Sequence, residues 1–158
     1  MSERRPVTIL VADDDEEDRI LTREALAGAR LTNELRFVVD GQDLMDYLRR
    51  TGKYAGGNGD APVPGIILLD LNMPKLDGRE ALAEIKSDPE LKRIPIVVLT
   101  TSGAETDILR SYELGVNSFI TKPVTFAGLV EVMRGFSRYW FEIVEIPATI
   151  LSGNNGHR

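Results

Sequence analysis

A chain of 158 residues is the size of one domain, large enough to bury a core and too short to divide comfortably in two. Its net charge of -6 repels phosphate backbones and anionic lipid, so neither nucleic-acid nor membrane-surface binding is expected. The absence of cysteine excludes disulfides, thiolate metal sites and cysteine nucleophiles, and suits a reducing, cytoplasmic setting. The apolar run 7–12 meets acids too soon to form a signal-peptide core or a membrane span.

Apolar, β-branched runs alternate along the chain with amphipathic stretches. VTILVA (7–12) reads as a strand, 17–29 as a helix, LRFVV (35–39) as a second strand and 42–51 as a second helix. The segment GKYAGGNGDAPVP (52–64) reads as a long, mobile, turn-rich connection. Its glycines are irregularly spaced and lack a GK[ST] ending, so it is no phosphate cradle. Strand GIILL (65–69), helix 78–86, strand IVVL (96–99), helix 104–114, strand SFIT (118–121) and helix 125–138 follow, and the polar end SGNNGHR is expected to fray. Several strands are apolar throughout. That composition suits a parallel sheet with helices on both faces, an α/β doubly wound fold.

The residues that follow each strand carry the chemistry. Strand one runs into Asp13-Asp14-Asp15, strand three into Asp70, strand four into Thr100-Thr101-Ser102 and strand five into Lys122-Pro123. In an open parallel sheet the strand C-termini share one rim, where ligands bind. Carboxylates meeting there repel one another unless a cation joins them. Oxygen donors without His or Cys favour a hard ion, Mg²⁺ over an all-protein Ca²⁺ cage. Asp70 can then act as a nucleophile toward phosphorus, with Lys122 and the ion offsetting charge on the phosphoryl oxygens and the Thr100 hydroxyl within reach.

The acidic pair in ILVADD, the segment LLDLNMPKLDG, the threonine closing VVLTTS and the FITKP closing strand five occur together in one order and spacing. Over roughly residues 7–138 the chain resembles the receiver domain of two-component response regulators. The resemblance implies a flavodoxin-like five-stranded sheet in the order 2-1-3-4-5. It implies that Asp70 is the phosphoacceptor and that Asp13, Asp14 and Asp70, with the backbone carbonyl of Asn72, hold Mg²⁺. It also implies that Thr100 and Lys122 contact the phosphoryl group, that Thr100 and Phe119 form the switch, and that the Lys122-Pro123 bond is cis. The output face would be helix 104–114, strand 118–121 and helix 125–138.

With DGQDLMDYLRR, SYELGVNSFITKPVTFAGL and RYWFEIVEIP, the chain is similar to the single-domain response regulators that partner cyanobacterial and bacterial phytochrome histidine kinases. Residues 139–158 leave no room for an output domain. Apolar Phe141, Ile143, Val144 and Ile146 in that tail either fold back on the domain or bury against a second copy, and a homodimer built with helix 125–138 is the preferred expectation. Thr101 stands where alanine is common in the family, which would alter how phosphoryl donors or phosphatases approach.

Several polar residues have a plainer explanation. Asp15 to Asp18 read as a solvated helix start, Asp40 as the cap of helix 42–51, and Asp77-Gly78 as a turn. His157, the sole histidine, lies in the polar end and is expected to be silent. Without a Walker A sequence or an internal phosphohistidine site the chain must draw its phosphoryl group from another molecule, naturally a partner kinase's phosphohistidine. Two other functions compete. A Mg²⁺-dependent phosphohydrolase needs a second Asp two residues after its nucleophile, where this chain has Asn72. A degenerate receiver, a pure interaction module, would lack acceptor or metal positions that are all filled here.

Overall fold

The computed structural model describes residues 8–29, 33–56, 61–71, 78–100, 115, 118–121, 123 and 125–138, with only the backbone described for residues 100, 118, 119, 121 and 137. Five strands, β1 (Ile9–Ala12), β2 (Leu35–Val38), β3 (Ile66–Leu69), β4 (Ile96–Thr100) and β5 (Ser118–Thr121), form one sheet in the order β2-β1-β3-β4-β5. Every pairing is parallel. The expected fold class and strand order are both observed.

β1 and β3 are buried at every residue, which explains why ILVA and IILL are apolar without alternation: helices cover both faces of these central strands. Side chains nevertheless alternate between the faces. Leu10, Ala12, Ile67, Leu69, Ile96 and Val98 point to one core, shared with α2 (Gly41–Arg49) and α3 (Gly78–Ser87). Ile9, Val11, Ile66, Leu68, Val97 and Leu99 point to the other, shared with α1 (Glu16–Gly28) and α4 (Phe126–Ser137). Each fully buried Leu or Ile contributes about 1.5–3 kcal/mol, so register is strongly specified. Edge strand β2 carries Arg36 and is only half-buried over most of its length.

The helix starts are set by local hydrogen bonds. Asp15 caps α1, its carboxylate accepting from the backbone N–H groups of Glu17 and Asp18 at 2.8 and 3.1 Å. Asp40 caps α2 in the same manner, accepting from the Asp43 N–H at 2.7 Å. Asp40 thus has the capping role read from the sequence, and Asp15, read as part of a solvated helix start, is a cap as well. The observed elements begin and end within about two residues of the expected ones, the usual uncertainty of helix and strand ends. The exception is helix 104–114, which lies outside the described residues.

The connection 52–64 differs from expectation where it is described. Gly52–Tyr54 forms a 3-10 turn, and the Tyr54 hydroxyl donates to Asp43 Oδ1 at 2.8 Å. The Tyr47 hydroxyl donates to the Pro62 carbonyl at 2.8 Å, the two tyrosine rings meet edge to face at 5.1 Å, and Ala61 is buried. Composition correctly marks the segment as neither helix nor strand. It carries no information about the two phenols that pin the ends of the segment, because their partners lie far along the chain.

Candidate functional site

Register brings the acids together. Ala12 pairs with Leu69, so Asp13 and Asp70, each one residue further, leave adjacent strands side by side. Backbone bonds continue past the strand ends: the Asp70 N–H donates to the Ala12 carbonyl and the Asp13 N–H to the Val38 carbonyl, both at 3.0 Å. Asp13 is 2% exposed and Asp70 9%, whereas Asp14 is exposed to solvent. One carboxylate oxygen from each of Asp13, Asp14 and Asp70 lies within 4.8 Å of the others.

Two ionised carboxylates at such a separation repel by on the order of 3 kcal/mol at an effective dielectric constant of about 20. A divalent ion reverses the sign of that contribution. The donors are all oxygen, two are buried and one is open, so the set fits a hard ion that retains water and an exchangeable ligand.

The acids are held from behind. Asp13 Oδ1 accepts the Asp15 N–H at 3.0 Å, and Arg19 Nη1 donates to the Asp13 carbonyl at 2.9 Å. Asp13 is thereby tied to the first turn of α1. On the other side, the Gly78 N–H donates to the Leu71 carbonyl at 3.0 Å. A Cβ on Gly78 would stand 2.3 Å from the Asp70 carbonyl oxygen and 2.5 Å from Leu71 Cα, both backbone atoms that cannot give way. Glycine is therefore required for α3 to start directly against the segment that follows Asp70. Sequence reading treated Gly78 as turn punctuation and passed over Arg19. The NMPKLDG segment held the clue to the first; nothing local signalled the second.

The remaining expected residues divide by position. Thr100 ends β4 and its backbone pairs with Thr121, which places it at the same edge of the sheet as Asp70. Phe119 lies in β5 opposite Val98. The side chains of Thr100 and Phe119, and all of Asn72, Lys122 and the Lys122-Pro123 peptide bond, lie outside the described residues, as do Phe141, Ile143, Val144 and Ile146. Asp40, at the end of β2, takes no part in the acidic cluster. No described helix is long and apolar enough to cross a membrane.

The family model described as the response regulator receiver domain matches residues 9–134. The chain belongs to the response regulator receiver family. This receiver is 45% identical over 143 residues to the response regulator Rcp1 of Synechocystis, a match covering 90% of this chain and 95% of that protein. Among solved structures it is similar to the phosphorylated cyanobacterial phytochrome response regulator RcpA, with 45% identity, a TM-score of 0.81 and 90% and 99% of the two chains covered. The Mn²⁺-bound form of Rcp1 matches over the same shares at 44% identity and a TM-score of 0.81. Receivers are phosphoacceptors that interact with histidine kinases and bind a divalent ion at an acidic pocket. Membership removes the phosphohydrolase alternative.

Proposed function

We propose that this receiver accepts a phosphoryl group on Asp70 from the phosphohistidine of a sensor kinase, with Mg²⁺ at the Asp13, Asp14 and Asp70 carboxylates and the Asn72 carbonyl. The meeting of those three carboxylates within 4.8 Å carries the reading, and also argues against a degenerate receiver. When bound by these oxygens, the ion would supply positive charge to offset the phosphoryl oxygens.

The chain's own residues do the rest. A carboxylate oxygen of Asp70 attacks phosphorus in line; the P–O bond forms as the P–N bond to the donor imidazole breaks, and the imidazole nitrogen takes up a proton. Asp70, short in reach and fixed by its strand-end backbone bond, presents that oxygen with little freedom. Lys122 places its ammonium, and Thr100 its hydroxyl, on the phosphoryl oxygens. Attack of water on phosphorus later returns Asp70 as a free carboxylate with inorganic phosphate, so the chain supports its own slow dephosphorylation without being an enzyme toward other substrates.

Movement of Thr100 toward the phosphoryl group leaves room for Phe119 to swing inward, which changes the face of residues 104–114, 118–121 and α4. The similarity to cyanobacterial and bacterial phytochrome response regulators supports a phytochrome-type kinase as partner. The receiver comprises residues 1–138. Residues 139–158 with Phe141, Ile143, Val144 and Ile146 form a tail that joins two copies, and the protein works in the cytoplasm without binding nucleic acid.

Mass spectrometry after treatment with acetyl phosphate and Mg²⁺ tests the assignment. One added phosphoryl group maps to Asp70, and Asp70→Asn removes it. Undiminished labelling of that variant at another residue overturns it. Deleting residues 139–158 converts a dimer to a monomer in light scattering; an unchanged mass refutes the tail's role.

A further inference from the structure

At the opposite edge of the sheet, where the strands begin, lies a cavity of about 260 Å³. Its walls come from the end of α2, from residues 61–64 that lead into β3, and from residues 90–94 that lead into β4. Because α2 runs antiparallel to the strands, this edge is a full strand length from the acids, roughly 13 Å for four residues. The cavity is therefore separate from the site at Asp70.

Its lining has two parts. Leu48, Ala61, Pro64 and Ile94 supply an apolar interior, while Arg50 and Arg93 stand with Glu90 around it. The charges sum to one excess positive charge on a protein whose net charge is -6. Among the described residues neither guanidinium has a side-chain hydrogen bond or ion pair.

The walls are already set. The Tyr47 hydroxyl bond to the Pro62 carbonyl closes one side, and Pro62 and Pro64 fix their own φ angles. Arg50 adopts a left-handed conformation with φ of 59°, a position that favours glycine. Arginine at that position, at a cost of about 1 kcal/mol, gives the cavity lining a cationic residue that glycine would not.

We propose that this cavity binds a small organic anion, an aromatic or branched apolar body carrying one carboxylate. The volume lies just below the usual range for ligand pockets, about 300–1,000 Å³, which limits the body to one ring with a short chain. A bare inorganic anion could engage only the two arginines and would gain nothing from the Leu48, Ala61, Pro64 and Ile94 surface, so an anion with an apolar body is favoured. Two guanidiniums against one carboxylate select against a cation. A carboxylate is the group that a planar guanidinium grips best, through paired charge-assisted hydrogen bonds.

The test is a ¹H–¹⁵N titration of the full-length protein with 3-phenylpropionate, its neutral amide 3-phenylpropionamide, acetate and inorganic phosphate. Phenylpropionate is expected to give saturable shifts at Leu48, Ala61, Val63 and Ile94. The amide binds about tenfold more weakly, roughly the lower worth of a charge-assisted hydrogen bond, and acetate and phosphate leave those four signals in place. Arg50→Gly, which relieves the left-handed backbone and keeps or raises thermal stability, weakens phenylpropionate binding about tenfold, and so does Arg93→Gln. Shifts that never saturate, equal binding of the amide, phosphate binding at the same four residues, or affinity unchanged in both arginine variants would each overturn the proposal. None of these readouts depends on phosphorylation, so a failure here leaves the Asp70 assignment standing.

Discussion

Where β1 and β3 end, two buried carboxylates and one exposed carboxylate lie within 4.8 Å, whereas where β3 and β4 begin, the buried polar group, the Tyr47 hydroxyl, is matched by the Pro62 carbonyl. The first edge concentrates like charge, with the Asp13 carboxylate accepting the Asp15 N–H and the three acids close enough for one divalent ion to join them. The second satisfies the Tyr47 hydroxyl and carries Arg50, Arg93 and Glu90 at its exposed rim. One edge uses its buried phenol for a bond within the fold; the other gathers carboxylates that a bound cation can share. The contrast can be broken or sharpened residue by residue.

The largest effect is expected at Asp70, where Asn removes all labelling by acetyl phosphate. Next is Gly78→Ala, whose methyl group meets backbone on two sides. It should cost about 1–3 kcal/mol in chemical denaturation and slow labelling of Asp70. The same methyl at Gly135, where nothing lies within 4 Å, should be neutral or slightly stabilising, as expected for Gly to Ala within a helix.

Asp13→Asn separates ion binding from folding. Calorimetric Mg²⁺ affinity should fall by about tenfold or more, while the ion-free protein still folds, because Asn keeps an oxygen to accept the Asp15 N–H. An unchanged Mg²⁺ affinity would remove Asp13 from the metal site.

Tyr47→Phe probes the other edge. It leaves the Pro62 carbonyl without its donor and should cost about 1 kcal/mol with labelling of Asp70 unchanged. The same phenol also governs pH dependence. Burial pushes the Tyr47 phenol up from 10.0 to about 12, so the folded state holds this proton more tightly than the unfolded chain. The resulting stability is complete below pH 10 and is lost as pH rises toward 12. Burial and the Asp43 hydrogen bond shift Tyr54 in the same direction. Denaturation midpoints at pH 9 and pH 11.5 should therefore lie closer together in Tyr47→Phe than in the parent protein.

Legibility in the sequence followed the range of the interaction. Asp40 could be read as a cap, and Asp15 as part of a helix start, because their partners are two or three residues away. Asp13, Asp14 and Asp70 could be read as one cluster because strand ends share a rim in any parallel sheet, and the family motif gave the order of strands. Tyr47 and Pro62 are fifteen residues apart across a glycine-rich stretch, and no periodicity links them. Gly78 looked like an ordinary helix start because a forbidden Cβ contact is a property of two backbones in space.

The sequence by itself determined the strands, the helices, the sheet's two covered faces and the acids that follow β1 and β3. These depend on apolar pattern and on residue order, which are one-dimensional quantities. Only the tertiary structure decided that α3 starts in contact with the Asp70 backbone, that two tyrosines pin the 52–64 connection, and that a cavity with two arginines lies at the far edge. Each depends on a distance between segments remote along the chain. Such distances follow from how helices and loops settle on the sheet, and local composition does not encode them.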